Sequence, residues 1–259
     1  MPLTISAVGY FSVTLNDFSN MEAIKIYLTP KLFELNEVVV KAKSLAKKRK
    51  ANLKLFKNEF LGITINSLKC KIMNENDITF DYNADDTLRV FASKPILIEN
   101  NALGYRVTYY LDKFEYYKKT GTVYFYGNMI FNEDITQEEA QNGSYERRRK
   151  SAYLGSRTHF FRELWVNKLI STDFTIKSLS GKSLRYKKIV IEDDNGRKFL
   201  NYTEHLALEY NISRSYIIFL KNKVYFDENG YFDPSGIHWK GLMAEQRIAD
   251  WLPYEYSIK

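Results

Sequence analysis

Residues 103–131 read LGYRVTYYLDKFEYYKKTGTVYFYGNMIF, and their spacing decides the fold class. Tyr105, Val107, Tyr109 and Leu111 place apolar side chains on one face. Arg106, Thr108 and Asp112 take the other face, with Tyr110 amphipathic. A period of two over that length predicts a half-buried strand. The run TGTVYFYGNMIF at 120–131 alternates in the same way, so the pair reads as a long hairpin. Further on, SYERRRKSAYLGSRTHFFRELWVNKL at 144–169 changes period. Phe160, Phe161, Leu164, Trp165, Lys168 and Leu169 recur at three and four, which predicts an amphipathic helix with Ser156 as N-cap. That helix is expected to lie on the hairpin.

Working outward, LTISAVGYFSVTL (3–15) and AIKIYL (23–28) read as strands on either side of a polar turn at Asn16–Asn20. ITFDYN (78–83) and TLRVFAS (87–93) form a second hairpin, and PILIEN (95–100) leads into the long one. Thr136 and Glu139 have capping-box spacing and open a polar helix. Beyond residue 170 strands resume at STDFTI (171–176), LRYKKIVIE (184–192) and RKFLNY (197–202). The last two flank an Asp194-Asn195-Gly196 turn, a hairpin signal. LALEYNI, SYIIFL, KVYF and YFD continue the pattern to residue 233, and the tail 235–256 reads as turn and short helix. Twenty Tyr and an aromatic content of 15% favour pleated, half-wet surfaces. The pattern predicts an α+β, mostly β protein.

The chain carries 38 basic and 31 acidic residues, a net charge of +7. Eight of the basic residues fall within 41–57, which holds no acid, so the remainder is balanced at 30 against 31. A polyanion groove draws on several segments, so nucleic acid is not expected as a partner. Residues 41–60, rich in Lys, Ala and Leu and ended by Gly62, read as a basic helical linker. A solvated connector is the plainer reading; the sharper one is contact with an anionic surface such as a membrane. No apolar run is long enough for a transmembrane helix. The opening residues lack the charged and apolar regions of a signal peptide, so no export address is expected in the chain as written.

Ile5, Ser6, Gly9 and Tyr10, then Ile26, Leu28 and Pro30, then Leu35-Asn36-Glu37-Val38-Val39-Val40 carry a resemblance. In that order they are similar to the second half of the carboxypeptidase-regulatory-like domain of Bacteroidetes proteins. The resemblance implies a small transthyretin-like β-sandwich of which residues 1–40 are the C-terminal half, its earlier strands preceding Met1. Residues 1–40 alone are therefore not expected to fold. A β-rich domain of unknown function is then expected over 61–259. Short matches there, among them Phe60-Leu61-Gly62, Ala102-Leu103-Gly104-Tyr105 and Trp251-Leu252-Pro253-Tyr254, resemble the region that follows such domains in envelope proteins. The implied location is the cell envelope, in the periplasm or at the outer membrane. The resemblance brings no catalytic residues.

Templates for chemistry fail one by one. The histidines are His159, His205 and His238; His159 has Glu163 four residues on, but no HExxH accompanies it. GxSxG and phosphate-cradling glycine loops are absent, and no cofactor is implied. Cys70 lies alone in an alternating run and reads as a small buried hydrophobe. DENGYFD at 227–233 misses the calcium-loop spacing and reads as a turn. What remains is a basic-aromatic set, Arg147, Arg148, Arg149, Tyr153, Arg157, His159, Arg162 and Trp165, a candidate ligand or partner patch. Its plainer reading is Arg pairing with the acids of 133–139. Trp and Tyr also supply platforms for a glycan. The leading expectation is a non-catalytic envelope protein that binds or scaffolds, with a glycan or another envelope protein as partner. The alternative is a glycan-active enzyme with dispersed carboxylates, for which Asp85, Asp86, Glu115 and Glu209 are candidates. A nucleic-acid binder using 41–57 comes last.

Overall fold

The computed structural model of the chain describes residues 3–7, 9–15, 23–31, 42–82, 85–134 and 143–258. The chain divides into two compact units, Pro2–Ile135 and Thr136–Lys259. That boundary falls inside the stretch 61–259 expected as one domain, and residues 41–60 share a unit with the first sheets. Secondary structure is mostly β, in antiparallel sheets with few helices. Among the described residues no helix is long and apolar enough to cross a membrane.

In chain order the N-terminal unit holds β1 (Leu3–Ile5), β2 (Val13–Leu15), α1 (Ala42–Leu61), β3 (Cys70–Ile72) and β4 (Ile78–Tyr82). It continues with β5 (Thr87–Ala92), β6 (Ile96–Asn100), β7 (Tyr105–Tyr117) and β8 (Thr122–Glu133). β7 organises the sheet. β6 pairs with the first part of one β7 edge and β5 with its end, while β8 runs the length of the other edge. Tyr105, Val107, Tyr109 and Leu111 are buried, as their alternation predicts. The register then shifts between Leu111 and Lys113, and the next buried residue is Phe114. Asp112 is thus the extra residue of a β-bulge, which returns Phe114 to the apolar face and sets Asp112 and Lys113 on the other. Opposite Leu111 stands Gly127, where a Cβ would lie 2.2 Å from the Tyr110 carbonyl oxygen and 2.8 Å from the Tyr109 ring.

The apolar face of the hairpin is covered by α1. Phe60 meets the Tyr109 ring at 5.0 Å and Phe125 at 5.5 Å, and Phe56 meets Phe114 at 4.9 Å. Phe56, Phe60 and Leu61 are buried, each contributing about 1.5–3 kcal/mol. The segment expected as a linker is therefore a core element. Arg49 confirms the docking, donating to the Ile78 and Glu75 carbonyls, each at 2.8 Å. The helix expected on the hairpin, 157–165, belongs to the other unit.

β1 and β2 pair with each other, Leu3 opposite Leu15. AIKIYL is not a strand; the segment meets the connection between β1 and β2 at Pro30, which forms a bridge with Tyr10. The Leu35–Val40 run, the Asn16–Asn20 turn and the capping box at Thr136 lie outside the described residues.

The C-terminal unit begins with α2 (Ser144–Tyr153) and α3 (Arg157–Trp165). Its strands are β9 (Phe174–Ser178), β10 (Val190–Glu192), β11 (Lys198–Leu200), β12 (Leu206–Tyr210), β13 (Ser213–Phe219), β14 (Val224–Phe226) and β15 (Ile237–Gly241). One sheet runs β15-β13-β12-β9 and the other β10-β11-β14. Phe160, Phe161 and Leu164 of α3 enter the core shared with both sheets. Ser156 caps α3 as expected, its hydroxyl accepting the His159 N–H at 3.1 Å. β15 lies in the tail read as turn and helix; it aligns with β13, and Ile237 and Trp239 are buried.

Because α1 closes the core, Phe60→Ala is expected to destabilise the N-terminal unit by about 3–5 kcal/mol. Lys54→Ala, on the exposed face of the same helix, should stay within about 0.5 kcal/mol of wild type. Urea denaturation of both variants measures the contrast.

Candidate functional site

The face of the N-terminal sheet opposite α1 is where the polar side chains gather. Register places Asp81 of β4 opposite Arg89 of β5, Arg89 opposite Glu115 of β7, and Glu115 opposite Tyr124 of β8. Four strands thus present one row of alternating charge ending on a phenol. Arg89 Nη2 donates to Asp81 at 2.5 Å, and Lys113 Nζ lies 3.1 Å from Glu115. Lys113 also sits 5.4 Å from the centre of the Tyr124 ring, whose neighbour Tyr126 is at 5.7 Å. The Tyr117 hydroxyl donates to Glu115 Oε2 at 2.6 Å, and this hydrogen bond is the main reason its pKa is pushed up to about 12. Such exposed pairs add little stability, about 0–1 kcal/mol each. They fix the pattern of donors and acceptors on a half-exposed aromatic surface whose two acids and two bases cancel.

The other end of this face is occupied by the N-terminal segment. Asp112, on the outer face at the bulge, accepts the Ser12 hydroxyl on Oδ2 and the Ser12 N–H on Oδ1, the latter at 3.1 Å. Lys31 Nζ lies 3.3 Å from Asp112 Oδ1 and donates to the Leu111 carbonyl at 2.6 Å. Asn128 donates to the Ser12 hydroxyl at 2.6 Å and accepts from the Thr4 hydroxyl at 3.2 Å. A small cleft bordered by Gly9, Ser12, Lys31, Pro95 and Asp112 has free space of about 20 Å³, room for a water molecule. It is a joint between layers, too small for a substrate.

The eight residues singled out in the sequence all lie on α2 and α3 of the C-terminal unit. Tyr153, His159 and Arg162 come together: the Tyr153 and His159 rings are 4.9 Å apart, and the Arg162 guanidinium is 5.4 Å from the Tyr153 ring. Arg162 donates to the carbonyls of Asn229, Tyr254 and Tyr256 at 3.0, 2.5 and 2.7 Å. Arg157 donates to the Met243 and Gln246 carbonyls and lies between the Trp239 and Trp251 rings. Both arginines thus bind main chain. Trp165 packs edge-on against Phe226 with Lys198 Nζ 4.3 Å from its ring. Arg149 is buried, Arg148 stacks on Tyr145, and Arg147 is exposed.

His159 is held in an apolar, aromatic setting between Tyr153, Phe174 and Tyr210. Its Nδ1 accepts the Gly155 N–H at 3.1 Å. Gly155 has φ +74°, and a Cβ there would come within 2.6 Å of the Tyr210 ring, so glycine is required. Burial, with a smaller effect from Arg162, lowers the His159 pKa to about 4. Glu163 Oε1 is 4.0 Å from Nε2, and burial raises its pKa. A neutral imidazole beside a partly buried acid makes no ion pair at neutral pH.

Among the described residues no group of three or more His, Cys, Asp or Glu is arranged to hold a metal ion. The DENGYFD segment is a turn: Asp227 Oδ1 accepts the N–H groups of Asn229 and Tyr231, and Phe226 bridges Phe232. Cys70 is half-buried, its thiol 3.4 Å from the Asn66 carbonyl. Of the carboxylate candidates, Asp86 pairs with Lys118, while Glu209 lies in the other unit with its pKa lowered by Lys177 and Arg214. Glu115 alone among them sits in the charged row. Asp81, Arg89 and Lys113 were not singled out in the sequence; Asp81 and Arg89 stand in the polar phase of their strands, while Lys113 reaches this face only through the bulge.

Comparison with protein-family models, curated proteins and solved structures finds no match for this chain.

The lowered pKa of His159 has a signed consequence. Between about pH 6.5 and 4 the unfolded chain binds a proton that the folded chain excludes, so this residue makes stability fall as pH falls through that window. The loss approaches an order of 3 kcal/mol. Denaturation curves collected across the window should show it in the wild type, and a smaller slope in His159→Gln.

Proposed function

We propose that the chain is a non-catalytic binding protein of the cell envelope that holds a neutral, hydroxyl-rich ligand, a glycan, on the outer face of its N-terminal sheet. The observation that supports this reading is the row Asp81–Arg89–Glu115–Tyr124 with Lys113, Tyr117 and Tyr126 beside it. Half-exposed phenols offer apolar ring faces with a polar tip. The ion-paired acids and bases offer fixed acceptors and donors at strand spacing. Because opposite charges cancel along the row, it gives no attraction to a polyanion. A flat, wet face suits an extended ligand held by many modest contacts. The envelope location is supported by the resemblance of residues 5–40 to the regulatory-like domain.

Titration of the full chain with neutral oligosaccharides, followed by calorimetry, tests the reading. Tyr117→Ala is expected to weaken binding about tenfold, in line with the loss of one ring contact. Glu115→Gln, which keeps the shape and removes the charge, should weaken it by a comparable factor. Variants of the C-terminal unit such as Arg147→Ala should leave it unchanged. Wild-type protein that binds no oligosaccharide, or binding indifferent to both substitutions, overturns the assignment of this face. Consumption of the oligosaccharide during titration replaces the binder with an enzyme.

A further inference from the structure

Immediately after α1 the chain turns through a loop that points three aliphatic side chains into water. Ile63 and Ile65 are each 78% exposed and Leu68 is 82% exposed. Isolated exposed aliphatics are ordinary, but three within six residues form a cluster. The loop is well anchored: Asn66 is buried, its carbonyl receives the Cys70 thiol, and the Ser67 hydroxyl donates to the Thr64 carbonyl at 2.7 Å. The apolar side chains are therefore displayed by a defined turn.

Charge specifies what would cover this loop. The helix leading into it exposes Lys47, Lys50 and Lys54, while Arg49 is engaged by the Ile78 and Glu75 carbonyls and Lys57 by the Glu75 carboxylate. Lys69 at the far end of the loop is exposed too. The acid within the helix, Glu59, is half-buried. A basic helix face that runs into protruding aliphatics has the two attractions of an interfacial membrane contact: apolar insertion and electrostatic attraction to anionic headgroups. We infer that the loop Gly62–Lys69, together with the exposed lysines of α1, docks the protein on an anionic lipid surface. The site is on the α1 side of the sheet and stands independently of any ligand on the opposite face.

Sedimentation of the full chain with vesicles, in the absence of any glycan, tests the inference. The protein should sediment with mixed phosphatidylcholine–phosphatidylglycerol vesicles at low salt, and much less with phosphatidylcholine alone. Added salt should release it. Each of Lys47→Glu, Lys50→Glu and Lys54→Glu is expected to lower the partition coefficient about fivefold or more. Combined Ile63→Ser, Ile65→Ser and Leu68→Ser should lower it at least about a hundredfold, and at these exposures should leave the unfolding curve in place. Failure of the wild type to sediment with anionic vesicles overturns the inference, as does sedimentation unaffected by the triple serine variant. Analytical ultracentrifugation distinguishes the other occupant: a dimer that the serine variant dissociates, with no vesicle binding, means that the loop meets a second copy instead.

Discussion

The β-bulge at Asp112, one extra residue in β7, is the constraint on which the N-terminal unit depends. Without the bulge a strict period of two would carry the apolar phase from Leu111 to Lys113, and Phe114 would face water. With it, Phe114 stays beneath Phe56 of α1, and two consecutive polar residues stand on the outer face. One of them anchors the N-terminal segment through Ser12 and Lys31; the other joins Glu115 and Tyr124 in the charged row. A single backbone irregularity thereby divides the outer face into a covered end and an open one. Gly127 opposite Leu111 makes that geometry possible, since the Tyr110 carbonyl occupies the space a side chain would need.

Helix α1 joins two roles that composition alone would separate. Its buried residues recur at the spacing of one stripe, with Asn52, Phe56 and Phe60 inside, and Lys47, Lys50 and Lys54 stay in water. A surface that is basic because its other side is core differs from a charged tether. The helix holds its positive charge at fixed positions relative to the loop that follows, and rigid placement is what gives several weak charges a joint effect.

Much of the architecture was legible in the spacing of apolar residues. The long hairpin, the β4–β5 pair, the Asp194-Asn195-Gly196 turn and the Ser156 cap rest on local chemistry that acts within a few residues. The bulge also left a trace, since Leu111 and Phe114 are three apart in a strand that otherwise keeps to two. What stayed hidden was long-range. Which helix lies on which sheet is set by partners distant in sequence, and the 41–60 segment looked like a tether because its eight basic neighbours outweighed Phe56 and Phe60. Residues 157–165 had the right period for a packed helix but belong to the C-terminal unit. The strand Ile237–Gly241 was missed because Gly236 and Gly241 bracket it and make the tail look like turn. The outer-face row needed register, which no single strand contains.

The clasp made by Arg162 has a consequence for what the sequence is free to become. Its three hydrogen bonds end on main-chain carbonyls of Asn229, Tyr254 and Tyr256. Every amino acid supplies that acceptor, so the joint ignores the identity of the residues it holds and demands only that the chain pass through those points. Drift at the three gripped positions is limited by their own side-chain contacts, such as that of the Tyr256 hydroxyl with Glu146, and not by the guanidinium. All of the joint's sequence dependence is concentrated at residue 162, where the donor fork has no substitute among the other side chains.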